Sequence, residues 1–232
     1  MPPLVYVTRR FADIGLKALK AKGYRIEVYS QDHAIPRREL LKKAKGASAL
    51  LTLLTDRVDE EVFAAAGPQL KIVANFAVGF DNVDLEAAKR HGIVVTNTPH
   101  DKVNEAVAEH AFTLILCLAH RIAEADRLAK ANKYRGWSPT LLTGTDVYGK
   151  TLGIVGAGRI GSALARRAVN GFGMKLVYSN PHPNEKLEKA HGAERMSLEK
   201  LLSEADFVSL HVPLLPSTRH LINAERLNLM KP

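Results

Sequence analysis

The chain has 232 residues, 46% hydrophobic and 25% charged, with a formal net charge of +9. That length suits two domains, and the composition is globular rather than disordered or fibrous. No run approaches the ~20 apolar residues of a bilayer span, and no signal segment precedes the first strand pattern, so the expectation is a cytoplasmic protein without a membrane partner.

In chain order, Leu4 to Thr8 reads as a strand and Ile14 to Lys22 as a helix stopped by Gly23. Arg25 to Tyr29 is the next strand, Arg37 to Lys45 a helix, Ala47 to Leu54 an apolar strand, and Val58 to Ala66 a helix ended by Gly67-Pro68. Lys71 to Ala77 and Ile93 to Thr96 are strands around a helix at 84–90. Such alternation implies crossover units on a parallel sheet. One long helix is expected from about Asn104 to Lys133, then a loop holding Gly136, Pro139, Gly144 and Gly149. Strands return at Thr151 to Val155, Lys175 to Tyr178, Ala193 to Met196 and Phe207 to Val212. The fold class is α/β, with two doubly wound domains divided at 1–100 and 101–232.

Lys and Arg are dispersed over helical faces, with short clusters such as Arg37-Arg38 and no aromatic platform. Nucleic acid is therefore not the expected partner; the excess suits a small anionic substrate and a phosphate-bearing cofactor. Cys117 reads as a small core residue that cannot form an internal disulfide, and the scattered histidines lack metal-ligand spacing.

The run from Gly149 to Gly161 is a short apolar strand entering Gly156-x-Gly158-x-x-Gly161, followed by an alanine-rich helix over Ser162 to Ala168. Strand, glycine turn and helix in that order are what a dinucleotide pyrophosphate requires. Gly156 makes the turn, Gly158 admits the phosphates, and Gly161 packs the helix close. The amides around Arg159 and Ile160 then face the anion, aided by the helix dipole. At the end of the second strand, Ser179-Asn180-Pro181-His182 lacks the acid that would bind the ribose of NAD. Without a carboxylate to repel a 2′-phosphate, and with Ser179, Asn180, His182 and Lys186 nearby, NADP is preferred and NAD stays open.

Val78-Gly79-Phe80-Asp81-Asn82-Val83-Asp84, Asn97-Thr98-Pro99, Ala108-Glu109-His110, the glycine motif and His211-Val212-Pro213-Leu214 together resemble the D-isomer-specific 2-hydroxyacid dehydrogenases. The run from Gly144 to Thr151 is most similar to the glyoxylate, hydroxypyruvate and 2-ketogluconate reductase branch. The resemblance implies a flavodoxin-like substrate domain and a Rossmann NAD(P)-binding domain, with NAD(P)H-dependent reduction of a small 2-oxo acid, glyoxylate or hydroxypyruvate, to the D-2-hydroxy acid. It implies that amides of Val78 and Gly79 hold the substrate carboxylate and that Leu54 lines the substrate, although Gly79 could merely turn the chain and Leu54 be core. It places His211, Val212, Pro213 and Thr218 beside the adenosine ribose and phosphates, and the long helix with its loop at a homodimer contact. The family's catalytic Arg, Glu and His follow a Met-Lys-Pro segment that here is Met230-Lys231-Pro232, so no catalytic residue is expected within the chain. The Rossmann domain is then incomplete, and an apolar face of the first sheet should lie uncovered. The alternative is a dinucleotide-binding sensor or corepressor-like module on the same fold.

Overall fold

A computed structural model describes residues 2–232, leaving Met1 outside the description. The chain forms two compact units, Met1–His100 and Asp101–Pro232. In the first, strands β1 (Leu4–Val7), β2 (Arg25–Val28), β3 (Ala49–Thr52), β4 (Ile72–Asn75) and β5 (Val94–Thr96) alternate with helices α1 (Asp13–Ala21), α2 (Arg37–Ala44), α3 (Glu60–Ala66) and α4 (Leu85–Arg90). All neighbouring strands pair in parallel, in the order β2-β1-β3-β4-β5. This is the flavodoxin-like order, whose switch point falls between β1 and β3.

Side chains alternate across a strand, and here the two faces have different environments. Tyr6, Leu50 and Val73 are buried against Leu40, Val62, Phe63 and Ala87. On the other face Leu51, Ile72 and Ala74 line an apolar cleft of about 620 Å³ with Pro3, Leu19 and Tyr24. Parallel sheets normally bury both faces, whereas this face is only half-covered.

The second unit contains α5 (Asp101–Ala119), α6 (Ile122–Lys130), β6 (Thr151–Val155), α7 (Arg159–Phe172), β7 (Lys175–Ser179), α8 (Glu185–His191), β8 (Glu194–Arg195), α9 (Leu198–Glu204), β9 (Phe207–Leu210) and α10 (Ala224–Leu227). Its parallel sheet runs β8-β7-β6-β9, the Rossmann order around a β6/β9 switch point. Both sheet faces are covered: Ile154 and Tyr178 pack with Phe112, Ile115 and Leu164, while Val155 and Val177 pack with Leu201 and Leu202.

Several sequence expectations need correction. The third helix starts at Glu60 rather than Val58, because Val58 forms a parallel bridge with Val83. The fourth strand of the second unit stops at Leu210, leaving His211 and Val212 in the following loop. Helix α7 starts at Arg159 and reaches Phe172, longer than Ser162 to Ala168. Cys117 is half-buried, not core.

The single long helix is two helices bent by 65°. Arg121 adopts φ 52°, and the Ala119 carbonyl accepts the Thr145 amide at 2.8 Å, which takes the acceptor that a continuing helix would use. Gly144 makes that docking feasible: a Cβ there would stand 2.2 Å from the Ala119 oxygen. Among the described residues no single helix is long and apolar enough to cross a membrane.

Gly144→Ala is therefore expected to expel the 144–145 segment from the helix break. Overpacking against backbone predicts a loss of roughly 1–3 kcal/mol, read from urea unfolding followed by circular dichroism.

Candidate functional site

In the second unit, the residues singled out around the glycine motif lie after the carboxyl ends of adjacent strands β6, β7 and β9, where ligands of open α/β sheets bind. Gly156 has φ 94°, and a Cβ there would stand 2.8 Å from the His211 carbonyl group, so only glycine fits between the two strand ends. Gly161 lies equally close to the loop, its Cβ position 2.6 Å from the Gly156 oxygen. Gly158 faces open space, which leaves room for a ligand. It is also the N-cap of α7, and no side chain caps that helix. The amides of Arg159 and Ile160 belong to its first turn and have no intrahelical acceptor. Uncapped amides at the positive end of a 14-residue helix fit a pyrophosphate.

The β7–α8 connection grips this loop. Asn180 Oδ1 accepts the Ala157 amide at 2.7 Å, while Asn184 Nδ2 donates to the Ala157 carbonyl at 2.8 Å and to Ser162 Oγ at 3.2 Å. Asn184 also caps α8 through the Leu187 amide and donates its own amide to the Tyr178 hydroxyl at 2.7 Å. Burial raises the Tyr178 pKa, and its hydroxyl stays a donor to Glu188. Asn184 was not singled out from the sequence; an Asn just before Glu185 at a helix start is a capping signal, but its reach to residue 157 has no local signal.

Ser179 is half-buried, and Pro181 and His182 are exposed beside Asn180. Parallel pairing sets Arg195 opposite Tyr178, and its guanidinium donates to the Asn180 carbonyl at 3.1 Å and the Pro181 carbonyl at 2.7 Å. No arginine follows Tyr178 in sequence; the strand register supplies one. Just after β9, the His211 amide donates to the Val155 carbonyl at 2.8 Å, and its Nε2 lies 2.9 Å from Ser209 Oγ. Val212 packs into the α9 side of the core, and Pro213 is exposed. Thr218 folds the following loop back by donating to the Pro213 carbonyl at 2.6 Å.

In the first unit, Leu54 follows β3 at the switch-point side of the sheet and is 59% exposed, so it is not core. Val78 and Gly79 form the turn after β4, and a Cβ at Gly79 would stand 3.3 Å from Asp81 Oδ1 and 3.9 Å from Leu54 Cδ2. Leu54 and Gly79 are thus neighbours. Buried Asp56 bonds Thr8 and accepts the Leu53 amide at 2.8 Å, fixing the loop that presents Leu54. His110 and His120 are exposed on α5 and just after it. Among the described residues no group of three or more His, Cys, Asp or Glu could hold a metal ion.

Burial lowers the His211 pKa below 6.5. As pH falls, the unfolded chain therefore takes up this proton first, so the stabilisation is complete above pH 6.5 and declines as pH drops through the folded value. Burial raises the Asp206 carboxyl, but bonds to Lys231 and the Thr151 amide outweigh it and hold it below 3.8, a lower window. Unfolding free energy should fall as pH drops below about 6.5 in the wild type and stay flatter in His211→Asn, measured by urea titration at each pH.

Comparison with known proteins agrees with this geometry. Residues 112–232 match the NAD binding domain of D-isomer specific 2-hydroxyacid dehydrogenases. The glyoxylate reductase of Thermococcus onnurineus is 48% identical over 100% of this chain and 70% of its own length. A solved protein structure from Thermus thermophilus has a TM-score of 0.89 at 43% identity, covering 98% of this chain and 70% of that one. The D-lactate dehydrogenase of Aquifex aeolicus, solved with NAD and lactic acid, has a TM-score of 0.81 at 33% identity, covering 98% of this chain and 66% of that one. An anion-ready glycine loop on a Rossmann sheet, in a chain whose first unit is flavodoxin-like and which is similar along its whole length to these enzymes, leads to one conclusion: the chain belongs to the D-isomer-specific 2-hydroxyacid dehydrogenase family, oxidoreductases that use a nicotinamide dinucleotide.

Proposed function

We propose that the protein reduces a small 2-oxo acid, glyoxylate or hydroxypyruvate, to the D-2-hydroxy acid, with NADPH preferred over NADH. The observation that carries this reading is the similarity to glyoxylate reductases along the whole chain. When bound, the dinucleotide supplies the hydride that adds to the keto carbon. Residues 1–100 serve the substrate: Val78 and Gly79 amides hold its carboxylate, and Leu54 shields it from water. Residues 101–232 serve the cofactor: Gly156, Gly158, Arg159, Ile160 and Gly161 receive the pyrophosphate, and His211, Val212, Pro213 and Thr218 border the adenosine ribose.

Support for NADPH comes from the β7 turn. Asn180 stands where an acid would repel a 2′-phosphate, and Ser179, His182 and Arg195 surround it. Hydride addition builds alkoxide charge, which calls for a proton donor with a pKa near neutral. The family arginine, glutamate and histidine implied by the resemblance have no match among residues 1–232. The roles proposed for residues 1–232 are to bind and orient substrate and cofactor. The comparisons give no support to a non-catalytic sensor.

The 232-residue chain is expected to bind NADPH and glyoxylate without consuming near-ultraviolet absorbance. Turnover would show that a residue within 1–232 supplies the proton. Asn180→Asp should keep its bond to the Ala157 amide yet repel a 2′-phosphate, weakening NADPH relative to NADH by about tenfold in a binding titration.

A homodimer in the cytoplasm completes the proposal. Leu114, Leu118, Ile122, Trp137 and Tyr148 expose apolar surface on α5, α6 and the following loop, with Leu118 77% and Trp137 83% accessible. Sedimentation should give twice the 25.4 kDa chain mass, and Leu118→Lys should return the protein to monomer.

A further inference from the structure

The turn after β4 is held from behind at three consecutive carbonyls. The Ala77 carbonyl accepts the Thr98 amide at 2.8 Å and its hydroxyl at 3.2 Å. The Val78 carbonyl accepts Asn97 Nδ2 at 2.8 Å, and the Gly79 carbonyl accepts Asn75 Nδ2 at 3.1 Å. In a planar trans peptide the carbonyl and the next residue's N–H point in opposite directions. Holding these three carbonyls toward residues 75, 97 and 98 therefore turns the amides of Val78, Gly79 and Phe80 away from them. Among the described residues none of these three amides donates a hydrogen bond within the chain, whereas Ala77 and Val83 on either side do.

We propose that Asn97, Thr98 and Asn75 are positioning residues that aim three successive amides, Val78, Gly79 and Phe80, as one cradle for the substrate carboxylate. The proposal rests on the reading of this turn as the carboxylate site and adds to it a third donor and the residues that orient all three. Successive unpaired backbone amides form an anion-binding concavity that needs no cationic side chain.

The anchors themselves are fixed. Asn75 is 1% exposed, and its side-chain amide pairs with that of Asn82 through reciprocal bonds of 3.0 and 3.2 Å, with Thr52 Oγ1 as a further donor at 3.0 Å. Asn82 Nδ2 reaches on to the Leu53 and Asp56 carbonyls at 3.0 and 2.9 Å. The cradle and the Leu54 loop are thus one hydrogen-bonded unit, so a shift in the first would move the second. Asn97 is only half-buried, which makes it the anchor to remove without opening the core.

The test uses the ¹⁵N-labelled 232-residue protein with saturating NADPH, titrated with oxamate as a non-reducible 2-oxo acid analogue. The Val78, Gly79 and Phe80 amide resonances should shift together with one dissociation constant. Asn97→Ala should weaken oxamate about five- to tenfold, the worth of one hydrogen bond, with NADPH affinity unchanged. Asn97→Asp, equal in shape but without the donor, should weaken it at least as much, and serves if the alanine variant fails to fold. If the wild type binds oxamate while both variants bind it equally well, or Phe80 stays still, the positioning proposal is overturned and the carboxylate reading survives. If no amide from 78 to 80 responds in the wild type, the turn is not the carboxylate site and both fall.

Discussion

A rigid peptide plane cannot show its carbonyl and the next amide to the same side, and both candidate sites depend on that restriction. In the first unit, three carbonyls drawn into the body of the fold leave three amides facing outward. In the second, the helical geometry of α7 sends its carbonyls down the helix and leaves its first amides exposed, with no side chain to cap them. Neither arrangement needs a cationic side chain to attract an anion. Both need a backbone that does not move, because an amide that rotates away loses its directionality and gains only solvent.

Asparagine supplies much of that rigidity. Its side chain offers two donors and an acceptor on a short stem, so a single residue can hold a carbonyl in one loop and an amide in another. Asn180 and Asn184 take the amide and the carbonyl of Ala157, on successive peptide planes, from the β7–α8 connection. Asn75, Asn82 and Asn97 do the equivalent in the first unit, linking the ends of β3, β4 and β5. Among the described residues no buried side-chain nitrogen or oxygen lacks a hydrogen-bond partner. Satisfied buried networks of this kind resist rearrangement, since releasing one member strands the others.

The two sheets differ in how they are covered, and the difference follows from their helices. Sheet β8-β7-β6-β9 has apolar residues of α5 and α7 on one face and of α9 on the other. Sheet β2-β1-β3-β4-β5 has α2, α3 and α4 on one face, while α1, with no buried residue of its own, leaves an apolar cleft on the other. The positive net charge is partly neutralised locally: Arg37 bonds Asp59, Glu61 and the Arg57 carbonyl, so one of the short basic clusters is a structural clamp rather than a patch.

The sequence by itself determined the alternation of strands and helices, the strand–glycine–helix order at residues 151–168, and the family whose motifs run along the chain. Those signals are local: apolar period, turn residues and spacing follow from what neighbouring residues can do. It could not show that the helix after Asp101 breaks at Arg121, because the acceptor lost there is taken by Thr145, 26 residues away from Ala119. Nor could it bring Arg195 to the Asn180 turn, Asn184 to Ala157, or Asn97 to Val78. Each of those contacts joins segments that are adjacent only because parallel strands align their carboxyl ends side by side. Tertiary structure decided them, since a hydrogen bond is specified by direction and a distance near 3 Å, and neither is defined for two loops until the sheet between them has formed.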